Sequence, residues 1–472
     1  MPNLPHAIPP HGTAVRHDGE RRSPRVIAAR IVQPPPTTAV PSRDPLRWPP
    51  AFARPLARGA RYACAAWMAA ATIASVPARA ADAGHWVAAW ATAQQPVAQH
   101  PDTPAFNRAP NLAGQTVRQI LAPRIAGDDW RVRVSNRYGR TPLTIDAVSL
   151  APAGRGAALA GAAQAVHFGG ARGVTLAAGA SRESDPVAVH LDAGPVALSL
   201  HLAAGVPTPG DWHKVASQVS YVATDGDHVQ DVSGGAFHAG PTSWFFVDAL
   251  LTHATDDART AVAIGDSITD GMRSSLNANR RWPDALARRL ASDPATARVA
   301  VVNLGISGNR LLNDSACYGE KLAERYPHDA LDMPGGRYVI ALIGINDINF
   351  PAMPKRRGLD CDEPHTFVSA ADLEAGYRRL IEAAHRAHRL IYGATLTPAD
   401  LPPDREAIRA AVNQWIRTSG AFDAVIDFDQ ALRDPRRPQV LIARYDSGDH
   451  IHPSDAGYQA MADAIPVKLF TR

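Results

Sequence analysis

Apolar and polar positions follow two different rhythms along this chain, and the change falls near residue 257. Between residue 81 and about residue 256, short apolar runs recur between Gly-rich and polar turns. They cover 116–125, 130–135, 143–150, 174–178, 187–191 and 196–202. Trp130-Arg-Val-Arg-Val-Ser135 alternates apolar and charged residues, the period-two pattern of a half-exposed antiparallel strand. Leu198-Ser-Leu-His-Leu202 alternates too. Many short strands with no long helical period predict a β-sandwich or jelly-roll-like domain. The Ala- and Gly-rich stretch 151–163 reads as a loop.

From Thr260 onward strand-like and helical runs alternate. Candidate strands are 261–265, 299–304, 338–343, 390–394 and 424–428. Helical periodicity covers 282–290, 373–388 and 405–417, with Asp372 and Asp404 as candidate caps of the last two, and a closing helix begins near Asp455. This pattern predicts α/β architecture: a flavodoxin-like, doubly wound parallel sheet with right-handed crossovers. The expected divisions are a leader over 1–80, a β-rich domain over 81–256 and an α/β domain over 257–472.

Charge sharpens the first division. Residues 1–80 hold 11 Arg and 3 acidic residues, a net of +8, which leaves −4 for residues 81–472 out of the total of +4. The basic character belongs to the leader, so the rest carries no nucleic-acid footprint. Arg54, Arg58 and Arg61 precede an apolar run over 62–76 that ends in Ala78-Arg79-Ala80. That is the pattern of an export signal with a small-x-small cleavage site. Cleavage after Ala80 and a secreted or periplasmic protein are expected. The alternative, a short membrane anchor, would need a longer and more apolar run; no stretch approaches the ~18 uninterrupted apolar residues of a spanning helix. About fifty Pro- and Arg-rich residues precede this signal and are expected to be disordered. The simplest account places the true start codon downstream of Met1. Cys64 lies in the leader. Cys317 and Cys361 remain, and in an exported protein the pair is expected to be bridged rather than left as two thiols.

Candidate chemistry gathers in four stretches of the second half: Gly265-Asp266-Ser267, Gly305-Ile-Ser-Gly308-Asn309, Gly344-Ile-Asn346-Asp347 and Asp449-His-Ile-His452-Pro453. The first three directly follow predicted strands, at the sheet edge where open α/β folds bind ligands. A serine hydroxyl needs an adjacent base to attack a carbonyl, and His452 has the right chemistry. A carboxylate must orient that imidazole; Asp449, three residues earlier, projects from the same face if the segment forms one helical turn. His450 and Asp446 are the rival base and orienter. Ser267 N–H, Gly308 N–H and the Asn346 amide are available to hold an oxyanion. Asp266 and Asn309 are expected to hold the loops, and Asp347 to tether one. His328, His365 and His385 show no metal-ligand spacing and are expected at the surface. Segments 309–326 and 350–366 are expected to wall the site, with Leu311, Leu312, Tyr318 and Phe350 beside Lys355, Arg356 and Arg357. Trp86, Trp90, Trp212 and Trp244 fit a core or a domain interface better than a sugar platform.

These four blocks resemble the SGNH hydrolases, also called GDSL esterases or lipases, whose Ser, Gly, Asn and His blocks match at Ser267, Gly308, Asn346 and Asp449-His452. The resemblance covers about residues 260–469. Residues 84–251 resemble, less specifically, the β-rich N-terminal domain of a bacterial secreted subgroup. What the resemblance implies is a serine esterase with a flavodoxin-like sheet, no metal, no cofactor and no obligatory lid. Family members hydrolyse carboxylic esters of lipids, aryl alcohols and acetylated sugars, and some cleave thioesters. The expectation is therefore a secreted serine esterase acting through Ser267, His452 and Asp449 on a small-molecule or glycan ester, with no nucleic-acid partner and no stable membrane anchor. A carbohydrate-binding protein that uses its β-domain, or an acyltransferase on the same site, are the alternatives.

Overall fold

Five apolar runs line up as a parallel sheet. In a computed structural model, which describes residues 84–205 and 209–472, the strands stand in the order Val299–Gly305, Arg259–Gly265, Gly336–Leu342, Leu390–Ala394 and Ala424–Ile426, and every neighbouring pair is parallel. Counted along the chain this order is 2-1-3-4-5, the doubly wound, flavodoxin-like arrangement. The leader, its apolar run and the expected cleavage after Ala80 lie outside the described residues. Ala261 to Ile264 are apolar without alternation because the strand is covered on both faces; all four are 0% exposed. Helices Trp282–Ala291, Ala370–Arg386 and Pro403–Thr418 follow the expected periods.

Three departures from the sequence expectation have a local cause. Ser369, not Asp372, caps Ala370–Arg386; Asp372 answers from the third position as the other half of a capping box. Asp404 sits in the first turn of Pro403–Thr418, whose cap position is Pro402 with no side-chain bond. The last strand stops at Ile426 because the Asp427 side chain accepts from Gln430 N–H and starts the helix Phe428–Leu432.

Two antiparallel sheets lie upstream. One runs His238–Ala239, Tyr221–Ala223, Thr116–Leu121, Val196–Leu202, Leu143–Pro152 and Gln164–Val166, with Val174–Leu176 also on Leu143–Pro152. The other runs Gly84–Ala91, Val247–Thr255 and Gly127–Ser135, the last also pairing with Ser181–Glu183 and Val187–Leu191. Val117, Val148, Leu198 and Leu200 of the first share one core with Val132, Val134 and Leu250 of the second. A small three-stranded sheet of Gln95–Pro96, Asp211–His213 and Trp244–Phe245 runs beside them.

Gly84–Ala91 and Val247–Thr255 were not anticipated, and their burial explains why. Val87, Ala89 and Leu250 face the β-sheet core, whereas Ala88, Ala91, Ala249 and Leu251 join the core of the parallel sheet. A strand covered on both faces loses its polar alternation. Ala88 N–H donates to Pro334 O at 3.0 Å, and Thr260 Oγ1–H to Ala88 O at 3.1 Å, so polar bonds cross the same seam. Trp90, Trp212 and Trp244 are buried, with Trp90 edge-on to Trp244 at 5.0 Å, which removes them as a sugar platform. Trp86, partly buried, lies under the guanidinium of Arg131.

The buried guanidinium of Arg325 joins the strand ends that carry the candidate site. It donates to Gly265 O at 2.8 Å and Leu304 O at 2.9 Å, to Asn309 Oδ1 at 3.0 Å and to Asp329 Oδ2 at 2.7 Å. Burial alone would raise the Asp329 carboxyl, but His328 and Arg325 hold it below the ordinary carboxylate range. Arg325→Met strands these acceptors, and an uncompensated buried partner costs about 3–5 kcal/mol. The expected result is a lower urea midpoint with an unchanged m-value; a midpoint equal to wild type would refute the role.

Candidate active site

Ser267 opens a four-residue helical turn, Ser267–Asp270, directly after the strand Arg259–Gly265. Asp266 caps that turn by accepting from Ile268 N–H at 3.0 Å, and Gly271 closes it in a left-handed conformation at φ 94°. The serine is thereby held at the carboxyl edge of the sheet with its N–H at a helix start. Its Oγ lies 2.8 Å from His452 Nε2, and His452 Nδ1 lies 2.8 Å from Asp449 Oδ2. Asp449, His452 and Ser267 thus form one hydrogen-bonded line across 185 residues of chain.

The segment that presents the imidazole is not the helical turn expected from the Asp-x-x-His spacing. It is a tight loop: Asp449 Oδ1 accepts from Ile451 N–H at 3.1 Å and from His452 N–H at 2.8 Å, and Ser447 N–H closes it onto His452 O at 3.1 Å. The same carboxylate therefore shapes the loop and orients the ring. Burial would raise Asp449, but the hydrogen bonds from the His452 ring and backbone, with the charge of His452, hold it far below the ordinary carboxylate range. Arg273 also donates to Asp449 Oδ2, at 3.0 Å. The rivals pair with each other: His450 Nδ1 lies 2.7 Å from Asp446 Oδ2, and its ring is exposed.

Two neighbouring strands deliver the remaining groups. Gly308 follows Val299–Gly305 with φ 83°, and a Cβ there would run into the Tyr318 ring, so both conformation and space call for glycine. Asn346 follows Gly336–Leu342, and its Nδ2 donates to Asn309 O at 2.9 Å, which leaves one amide hydrogen free of that bond. Asn309 Nδ2 donates to Tyr318 O and Glu320 O, and Asp347 accepts from Leu311 N–H and Leu312 N–H. These contacts tie the two residues to the loops around them. Cys317 and Cys361 are bridged, and the Ser315 hydroxyl adds a bond to Cys361 O. The buried Arg310 guanidinium donates to Asp362 O, Pro364 O and Glu363 O, so it ties the same two segments.

Other side chains at the site lie outside the four blocks. His213, from the small sheet, donates from Nδ1 to Ala93 O at 2.9 Å and meets Asp270 Oδ1 at 3.0 Å through Nε2. Asp270 in turn accepts from Ser307 N–H at 2.8 Å and Ser307 Oγ–H at 2.6 Å, one residue before Gly308. His328 and His365 are not surface residues: His328 is wedged between Asp329 and Glu320, and His365 packs on Asp360 at 2.9 Å. His385 is exposed beside Asp423, as expected. Among the described residues no group of three or more His, Cys, Asp or Glu is arranged to hold a metal ion, and no helix is long and apolar enough to cross a membrane.

Burial pushes the Asp266 carboxyl up to about 7, against the opposing Ile268 N–H and Arg325; its Oδ2 has no partner among the described residues. Burial likewise raises Asp347 to about 6. A raised value means that the fold prefers the neutral acid. Asp266 therefore favours folding least once it ionises, and stability declines as pH climbs from about 4 through that raised value. The stability of wild type minus that of Asp266→Asn should fall across this window in urea melts; a difference flat with pH would contradict the assignment.

Residues 263–460 match the model of the GDSL-like Lipase/Acylhydrolase family. No curated protein matches the chain. Similar solved structures include an acetylxylan esterase from Geobacillus stearothermophilus, 22% identical, covering 44% of this chain and 91% of that one with a TM-score of 0.33. A GDSL-like lipase from Bacteroides thetaiotaomicron is 18% identical over 44% of this chain and 85% of its own, with a TM-score of 0.30. An alpha/beta hydrolase enzyme from the metagenome of Lake Arreo, Spain, is 21% identical over 46% and 98%, with a TM-score of 0.34. The chain carries a GDSL-like lipase/acylhydrolase domain and is a serine-dependent carboxylic ester hydrolase of that type.

Proposed function

We propose that Ser267 is the nucleophile, His452 the general base and acid, and Asp449 the group that orients the imidazole, in the hydrolysis of small carboxylic esters through an acyl-enzyme. The observation that carries this reading is the unbroken line from Asp449 through His452 to Ser267 Oγ, with both links at 2.8 Å. His452 takes the hydroxyl proton as Oγ adds to the ester carbonyl. Asp449, kept ionised, stabilises the imidazolium and holds the ring with Nδ1 toward itself.

The tetrahedral oxyanion falls to Ser267 N–H, Gly308 N–H and the Asn346 amide. Supporting this, neither backbone N–H has a hydrogen-bond acceptor among the described residues, and the Asn309 carbonyl fixes the Asn346 amide beside them. Such preset donors favour the charge that develops in the transition state over the neutral carbonyl. The imidazolium then protonates the leaving alcohol, and water repeats the cycle to release the acid. Acetylated sugars, aryl esters and short lipid esters all fit this chemistry; that a relative in fold is named an acetylxylan esterase makes acetylated glycans a substrate class to assay.

The β-rich part, residues 81–256, is read as a sandwich-type domain that buttresses the hydrolase domain over 257–472. We place the protein outside the cytoplasm; the Cys317–Cys361 bridge favours an oxidising compartment.

Turnover of p-nitrophenyl acetate tests the assignment. Ser267→Ala and His452→Ala should each lose on the order of 10⁴–10⁶ in kcat. Asn346→Ala should lose roughly 10²–10³. His450→Ala, by contrast, should stay within about threefold, as an exposed side chain off the reacting line. A Ser267→Ala enzyme that keeps wild-type turnover, or a His450→Ala enzyme as dead as His452→Ala, would overthrow this reading.

A further inference from the structure

Lys214 is a polar anchor that the four sequence blocks do not contain. It follows the strand Asp211–His213 and is half-buried at the edge of the oxyanion loop. Its ammonium donates to Asn107 Oδ1 at 2.7 Å and stands 5.1 Å from the centroid of the Tyr318 ring, the ring that fills the space over Gly308. An ammonium has three hydrogens to donate, and this contact uses one. Among the described residues no carboxylate lies within ion-pair distance of Lys214. Asp270 lies close enough to favour its charge, but both Asp270 oxygens are already taken, by His213 and Ser307. Asn107 is itself fully buried and turned by the disulfide: its Nδ2 faces Cys361 Sγ at 3.7 Å, so its oxygen points at the lysine. Phe106, one residue earlier, is 70% exposed and lies 6.0 Å from the same ammonium.

A large exposed aromatic, a second ring and an ammonium with hydrogens to spare therefore meet beside the proposed oxyanion donors. A half-buried cation without a carboxylate partner is costly unless something supplies the opposite charge. Burial pushes the Lys214 ammonium down to about 8, with Asp270 opposing, so it still carries its charge at neutral pH.

We propose that Lys214, held by Asn107 and flanked by Phe106 and Tyr318, is a specificity-determining residue that binds a carboxylate carried by the ester substrate. The inference rests on the reading of Ser267, Gly308 and Asn346 given above and adds the substrate class: esters bearing a carboxylate a short distance from the scissile bond, on either the acyl or the alcohol side. The hydrolase domain supplies the reacting groups, and the β-rich part supplies the recognition.

Two matched substrate pairs test it in the full chain. On the leaving-group side, 4-acetoxybenzoate is compared with its methyl ester; on the acyl side, p-nitrophenyl hydrogen succinate is compared with p-nitrophenyl butyrate. The readout is the ratio of kcat/KM for the acidic member to that for the neutral member, measured in one preparation so that any unfolded fraction cancels. Lys214→Met should lower that ratio by about tenfold or more, mainly through KM, for at least one pair, as loss of a charged hydrogen bond predicts. The pair that responds identifies the side. Competitive inhibition by benzoate should weaken by a similar factor in the same variant. A ratio that Lys214→Met leaves unchanged for both pairs, or an equal loss on acidic and neutral esters, overturns the proposal. Activity that survives Ser267→Ala would instead defeat the nucleophile assignment, and it would do so whatever the Lys214 ratios show.

Discussion

One fully buried guanidinium holds the carboxyl edge of the parallel sheet together. Strand ends are where a sheet runs out of partners, and the chain must turn there with its carbonyls exposed to an apolar interior. Arg325 supplies donors to two of those carbonyls, Gly265 O and Leu304 O, on the two strands that lead to Ser267 and Gly308. With its Nε it also holds Asn309, whose carbonyl fixes the Asn346 amide. The three groups proposed for the oxyanion therefore share one rigid support. Such preorganisation is where an enzyme gains most, because donors that need not move stabilise charge without reorganising. The cost of burying the cation is met locally by Asp329, four residues on, which His328 also bonds.

The parts of this arrangement that were legible in the sequence are those in which cause and consequence lie close together along the chain. Ala261 to Ser267 reads as a buried strand that ends in a turn because both facts are written in seven consecutive residues. The same holds for Gly308 and Asn346, each just past its own strand. The chemistry of Ser, His and Asp then links blocks that sequence distance separates. Asp449 was legible as the partner of His452 but not its geometry: a three-residue spacing suits a helical turn, whereas a carboxylate that accepts two backbone N–H groups makes a compact loop with the same result.

The rest was hidden for equally physical reasons. Arg325 sits in Leu322–Tyr326, a helix of five residues, too short to show a period, and among Lys321, Glu324 and Arg325 it looks like part of a solvated charge run. Only Asp329, at the i+4 position, hints at a partner. Gly84–Ala91 lacks alternation because its two faces enter two cores. His213 closes, and Lys214 directly follows, a three-residue strand whose partners, Gln95–Pro96 and Trp244–Phe245, lie far from it along the chain on either side. Nothing local marks such a strand.

The seam between the β-rich part and the parallel sheet also bears on the site. The reacting groups proposed above all lie within residues 267–452, yet the buried His213 reaches across to Asp270, and Asp270 holds the Ser307 backbone and hydroxyl immediately before Gly308. His213 is anchored at its other nitrogen by Ala93 O, in the segment that follows the strand Gly84–Ala91. That strand is itself packed into both cores. A shift of the β-rich part would therefore be transmitted through His213 and Asp270 to the loop that carries Gly308. The two halves are mechanically one at this point, which gives a physical reason for a recognition residue, Lys214, to stand directly after the histidine that couples them.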